Sequence, residues 1–168
     1  GWSADRSTVS CNGDGGIVVR GLAANARVHV VATDGYAPDW GVNNRIAYVC
    51  LGSDYAANIC TVDPNGSARR QLTHSGEDRY PRWSPDGHRI AFASSRPVYC
   101  CFFDLLYVID ADGSNERRLS RGLVDEEEDT FPTWSPDGAM LLFSTSRGYA
   151  GGSGHDLATM NPETGYGV

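Results

Sequence analysis

Apolar and polar positions along this chain alternate in short runs, and no segment keeps a helical period. His88 to Ser94 sets Ile90 and Phe92 on one face and the smaller Ala91 and Ala93 on the other, which predicts a strand. Leu105-Leu-Tyr-Val-Ile109 is apolar throughout, the pattern of a strand covered on both faces. Shorter runs of the same kind are Ile17–Val19, Val28–Val31, Asn58–Val62 and Asp156–Met160. Between them stand the turns Asp63-Pro-Asn-Gly66, Ser84-Pro-Asp-Gly87, Asp110-Ala-Asp-Gly113 and Asn161-Pro-Glu-Thr-Gly165. Pro presets φ in several of these turns, and Gly takes positive φ without steric cost.

The pattern recurs with a tryptophan as its marker. Tyr80-Pro-Arg-Trp83-Ser-Pro-Asp86-Gly87-His-Arg-Ile-Ala-Phe92 matches Phe131-Pro-Thr-Trp134-Ser-Pro-Asp137-Gly138-Ala-Met-Leu-Leu-Phe143. A worn copy runs Ala37-Pro-Asp-Trp40-Gly-Val-Asn-Asn44-Arg-Ile-Ala-Tyr48, and a fainter one Trp2-Ser-Ala-Asp5-Arg-Ser-Thr-Val9. Trp-to-Trp spacings of 38, 43 and 51 residues suit propeller blades. In the third unit, strand A is expected over Tyr80–Trp83, B over His88–Ser94, C over Leu105–Ile109 and D over Glu116–Leu119. The expected fold is all-β, a β-propeller of four-stranded antiparallel blades. Its units run over about 1–36, 37–79, 80–130 and 131–168. Trp2, Trp40, Trp83 and Trp134 are expected to be structural repeat positions, with Asp86 and Asp137 capping their own turns.

Trp-Ser-Pro-Asp-Gly followed by Arg-Ile-Ala-Phe, then Leu-Tyr-Val-Ile-Asp-Ala-Asp-Gly and Arg-Arg-Leu, resembles the TolB-like propeller repeat, a relative of the WD-type blade. The resemblance is fullest over residues 80–160, less over 37–79 and least over 1–36. It implies a ring of six to eight blades, outside the cytoplasm and used for binding. Similar blades form the gating domain of prolyl-oligopeptidase-like enzymes. Four visible units, with strand A of the first and strand D of the last incomplete, predict a segment of a larger ring or a self-associating assembly.

Charge and composition narrow the chemistry. A net charge of −7 argues against nucleic acid as a partner, and no apolar run is long enough to span a membrane. Gly1-Trp2-Ser3-Ala4-Asp5 does not read as a secretory leader. All fourteen basic residues are Arg, so chemistry that needs a lysine amine is excluded. Five cysteines form no metal-binding pair. Cys50 ends one expected strand and Cys60 lies in the next, which leaves a cross-hairpin disulfide or two buried thiols.

The B–C and D–A connections carry every long insertion, so the binding face is expected there. It brings Tyr99, Phe102, Phe103 and Tyr149 beside the run Asp125-Glu126-Glu127-Glu128-Asp129. Aromatics next to carboxylates suit a protein partner with a basic segment, or a glycan. A calcium ion is the one cofactor considered, since Asp110–Gly113 is a turn lacking the further carboxylates of a calcium loop. The histidines at 29, 74, 88 and 155 share no repeat position, and Gly151-Gly-Ser153-Gly-His155 is not a nucleophile elbow. The expectation is a non-enzymatic binding or scaffold propeller. The alternatives are the gating propeller of a serine peptidase whose hydrolase half lies elsewhere, and an assembly protein paired through open blade edges.

Overall fold

The computed structural model describes residues 1–3, 5, 8–13, 16–23, 25–96, 103–120, 128–146 and 154–165. They form fourteen strands in four antiparallel sheets, and no helix long and apolar enough to cross a membrane occurs among them. Blade one holds β1 (Thr8–Gly13), β2 (Gly16–Gly21) and β3 (Val28–Ala32). Blade two holds β4 (Gly35–Trp40), β5 (Ile46–Leu51), β6 (Ala57–Val62) and β7 (Arg70–Gln71). Blade three holds β8 (Asp78–Trp83), β9 (Arg89–Ser94), β10 (Leu105–Asp110) and β11 (Arg117–Arg118). Blade four holds β12 (Asp129–Trp134), β13 (Leu141–Thr145) and β14 (Asp156–Met160). Each sheet meanders in chain order, and the first strands of blades two, three and four lie side by side. The chain is a β-propeller.

The core consists of three apolar layers, each between successive blades. Ile17, Val19 and Val31 meet Ile46, Tyr48 and Val62 between blades one and two. Val49, Ile59 and Leu72 meet Ile90, Phe92 and Ile109 between blades two and three. Ala91, Ala93, Leu106 and Val108 meet Leu141, Phe143 and Met160 between blades three and four. The alternation of large and small residues along β9 now has a cause: Ile90 and Phe92 fill the layer behind, while Ala91 and Ala93 leave room for Leu141 and Phe143 in front. Successive side chains of one strand thus bury in opposite layers, which is why the middle strands read as apolar throughout.

Trp40, Trp83 and Trp134 follow the same rule, each packing against the preceding blade. Trp40 and Trp83 are 9% and 7% exposed, and Trp134 is half-buried with its indole N–H donating to the Arg82 carbonyl at 3.0 Å. Trp2 is 57% exposed, with no earlier blade among the described residues to receive it. Gly41 follows Trp40 because a Cβ there would stand 2.8 Å from Cγ of Trp83.

The turns after Trp2, Trp83 and Trp134 are held the same way. Ser84 Oγ donates to Asp86 Oδ1 at 2.5 Å, and that oxygen also accepts the His88 N–H at 3.0 Å. Ser135 and Asp137 repeat the geometry at 2.5 Å, and Ser3 and Asp5 at 2.6 Å. The hydrogen bond from Ser84 holds the Asp86 carboxyl below its ordinary range. Gly87 and Gly138 sit at φ +70° and +72°, where a side chain would be strained. The strand β1 that follows Asp5 is not legible in the sequence, because Ser10, Cys11 and Asn12 break the apolar run.

Cys50 and Cys60 are joined in a disulfide, Cα to Cα 5.7 Å, within the buried layer between blades one and two. Their register is diagonal: Cys60 pairs with Tyr48 and Cys50 with Asn58. Replacing both by Ala is expected to cost about 2–3 kcal/mol, given the short loop that the bond closes. Urea unfolding with and without a dithiol reductant measures it. A reductant-insensitive midpoint for the wild-type chain would contradict the expectation.

Candidate functional site

The inner strands of blades two, three and four carry the same irregularity. Ala37, Tyr80 and Phe131 precede Pro38, Pro81 and Pro132 and adopt φ of 53°, 56° and 53°. The strand register shifts across each of them, the mark of a bulge. The expected strand A, Tyr80–Trp83, therefore begins two residues earlier, at Asp78, because the bulge lets pairing continue on both sides of the proline. A left-handed φ is costly for an aromatic residue. Here it swings Tyr80 and Phe131 toward each other, with ring centroids 4.2 Å apart and Phe131 55% exposed.

Immediately before this pair lies a charged rim. Arg79 directs Nη2 to Glu77 Oε2 at 3.3 Å and Nη1 to Asp104 Oδ1 at 3.3 Å. Ser95, at the end of β9, bridges them with its hydroxyl, 3.3 Å from Glu77 Oε2 and 3.3 Å from Arg79 Nη1. Burial pushes the Asp104 carboxyl above its ordinary value; Arg79 pulls it back, and the charges of Glu128 and Glu77 raise it further. Glu77 and Asp104 thus flank the Arg79 guanidinium, and Glu128 adds its charge close to Asp104, so these four groups carry excess negative charge.

Behind the rim a second network fastens blade three across its width. Arg96 donates to Asp78 Oδ1 at 3.0 Å, to Glu116 and, through Nε, to Ser94 Oγ at 2.9 Å. Its guanidinium lies 4.2 Å over the ring of Tyr107. Asp78 is fully buried, so this cation is what makes its charge tolerable.

The residues expected from sequence fall unevenly around this rim. Glu128 is half-buried at the entrance to β12, and Phe103 is half-buried beside Asp104. Asp129 is a correction: expected on the binding face with the rest of the acidic run, it is fully buried as the first residue of β12. It pairs with Thr145 and donates its N–H to the Asp104 carbonyl at 2.7 Å, the strand position that Asp78 holds in blade three. Tyr99, Phe102, Asp125, Glu126, Glu127 and Tyr149 lie outside the described residues. In the Asp110–Gly113 turn considered for calcium, Asp112 accepts the N–H of Ser114 at 2.8 Å and Asp110 accepts from Asn115 at 2.7 Å. Sequence reading missed Glu77, Arg79, Ser95 and Asp104. The available signal was the aromatic-Pro pair recurring three residues before Trp83 and Trp134, which marks where the inner strands bend.

The sequence profile described as "Dipeptidyl peptidase IV (DPP IV) N-terminal region" matches residues 52–147, more than half of the chain and all of the rim. The chain belongs to that family. This dipeptidyl peptidase IV N-terminal region domain is 34% identical over 120 residues to the uncharacterized peptidase YuxL of Bacillus subtilis, covering 67% of the chain and 17% of YuxL. It is 28% identical over 153 residues to the uncharacterized protein Atu1656 of Agrobacterium fabrum, covering 87% of the chain and 50% of that protein. Among solved structures, TolB from Acinetobacter baumannii superposes with a TM-score of 0.76 at 18% identity, over 98% of the chain and 41% of TolB. The domain therefore spans half or less of the length of these three relatives.

Proposed function

We propose that this propeller is a binding module acting outside the cytoplasm, and that its inner rim takes a cationic segment of a protein ligand. The observation that carries the reading is the rim itself: Glu77 and Asp104 paired with Arg79, Glu128 close to Asp104, and the Tyr80–Phe131 ring pair on the two strands that follow. An incoming guanidinium or ammonium relieves the carboxylate excess and lies against aromatic faces. The buried disulfide supports an oxidising compartment.

Calorimetric titration tests it with a short arginine-rich peptide, an acidic peptide of equal length and a neutral oligosaccharide. The basic peptide is expected to bind, and Glu77→Gln/Asp104→Asn to weaken it by about tenfold or more. Affinity is also expected to fall with pH as Asp104 takes up its proton. Because burial raises that carboxyl, the fall begins at higher pH than an exposed aspartate gives. Preference for the acidic peptide or the sugar, or equal affinity of the double variant, overturns the reading.

A second reading, the gating propeller of a prolyl-oligopeptidase-like serine peptidase, is favoured by the family match and by the peptidase relative. It requires the reading frame to continue into a hydrolase domain with a Gly-x-Ser-x-Gly elbow. In that case the same rim screens substrates on their way to a catalytic centre. Sequencing the full reading frame separates the two.

A further inference from the structure

Tyr55, in the connection between β5 and β6, stands at the same end of the blades as the rim and is turned out to solvent. It is 83% exposed, the most exposed large apolar side chain among the described residues. A ring that buries so little contributes little to folding. Its backbone is costly as well, since Tyr55 sits at φ 63°, in the left-handed region that favours Gly or Asn. Asn44 and Asn115 hold such positions elsewhere in the chain. Among the described residues, the aromatic ones at positive φ are Tyr55, Tyr80 and Phe131. Tyr80 and Phe131 owe that φ to the bulges of their strands, whereas Tyr55 lies in a loop.

That loop is closed by its own hydrogen bonds and tied to the rim. The Gly52 N–H donates to the Ala56 carbonyl at 2.9 Å and the Tyr55 N–H to the Gly52 carbonyl at 3.0 Å. Asp54 Oδ1 accepts the Ala56 N–H at 3.2 Å. The chain then enters β6, where the Ala57 N–H donates to the Gly76 carbonyl at 3.0 Å and Ala57 forms a parallel bridge with Glu77. The Gly76 N–H in turn donates to Asn58 Oδ1 at 3.0 Å. Tyr55 is thus two residues, at most about 7 Å of backbone, from the strand position beside Glu77. A tyrosine also recurs in the B–C connections of blades two, three and four, as Tyr55, Tyr99 and Tyr149. Closing the loop at Tyr55 takes backbone groups and Asp54, and none of those bonds needs an aromatic ring.

We propose that Tyr55 is a ligand contact of the rim and makes it select arginine over lysine. The inference rests on the proposal that the rim takes a cationic segment. Glu77 and Asp104 attract either cation through charge alone. A guanidinium is planar and weakly hydrated, so it also lies flat on an exposed phenol ring, whereas an ammonium keeps its water. The strained backbone holds that ring out in solvent before the ligand arrives.

Calorimetric titration tests it with an arginine-rich peptide and with the same peptide carrying lysine at each arginine, on the wild type, Tyr55→Gly and Tyr55→Asn. The wild type is expected to bind the arginine peptide roughly threefold more tightly or better. Both variants are expected to lose that preference, with affinity for the lysine peptide little changed. Their urea midpoints are expected to stay level or rise, because Gly and Asn suit the left-handed backbone. Weaker arginine binding in variants that fold as well as the wild type separates a ligand contact from a structural role. If the wild type binds both peptides equally, or the variants keep the preference, the role of Tyr55 falls and the rim reading stands. Lowered midpoints in both variants assign Tyr55 to the fold and likewise overturn its role. A wild type that binds neither peptide overturns both proposals.

Discussion

Trp83→Ala is expected to destabilise the domain by about 3–5 kcal/mol, the range for truncating a large buried aromatic side chain. Trp83 is 7% exposed in the middle layer of the stack, and its backbone N–H donates to Asp39 Oδ2 of the preceding blade at 2.8 Å. That backbone bond survives the substitution, so the loss reports the indole itself. Gly41 lies against the ring and has no side chain with which to refill the space. Trp134→Ala is expected to lose less, because Trp134 is only half-buried. Urea unfolding of the two variants checks the order. Equal losses would show that the layers between blades do not decide these energies.

Loss of Arg96 has a comparable expected effect by another route. Arg96→Ala leaves Asp78 fully buried without its cation, and breaking a buried pair from one side costs about 3–5 kcal/mol. The same substitution frees Glu116 and removes the guanidinium from the face of Tyr107. Arg96→Ala with Asp78→Ala is expected to be more stable than Arg96→Ala alone, since the uncompensated charge is then gone. A double variant that is instead less stable by the sum of two independent losses would show that the pair is not coupled. Blade two shows how far this tie belongs to blade three. Gly35 and Gly52 stand there in place of Asp78 and Arg96, and a Cβ on Gly35 would meet the Val49 carbonyl oxygen at 2.2 Å. That blade is fastened by the Cys50–Cys60 disulfide and the Asp34–Arg69 pair.

The acidic run 125–129 illustrates the limit of charge as a guide. Five consecutive carboxylates read as part of an exposed binding face, yet β12 begins inside the run and buries Asp129 against Asp104 and Thr145. A strand begins where a partner edge is available, and that edge, β13, comes later in the chain.

The sequence by itself determined the blade. The turns after Trp2, Trp83 and Trp134 close through hydrogen bonds between residues two to five apart, and the strands bury on alternate faces. Short-range geometry of this kind is written in residue type and spacing. Only the tertiary structure decided the rim, because Glu77, Asp104 and Glu128 come from segments about 25 residues apart and are gathered where two inner strands begin. Tyr80 and Phe131 meet for the same reason: each is set by its own bulge, but their contact exists only because successive blades stack edge to edge.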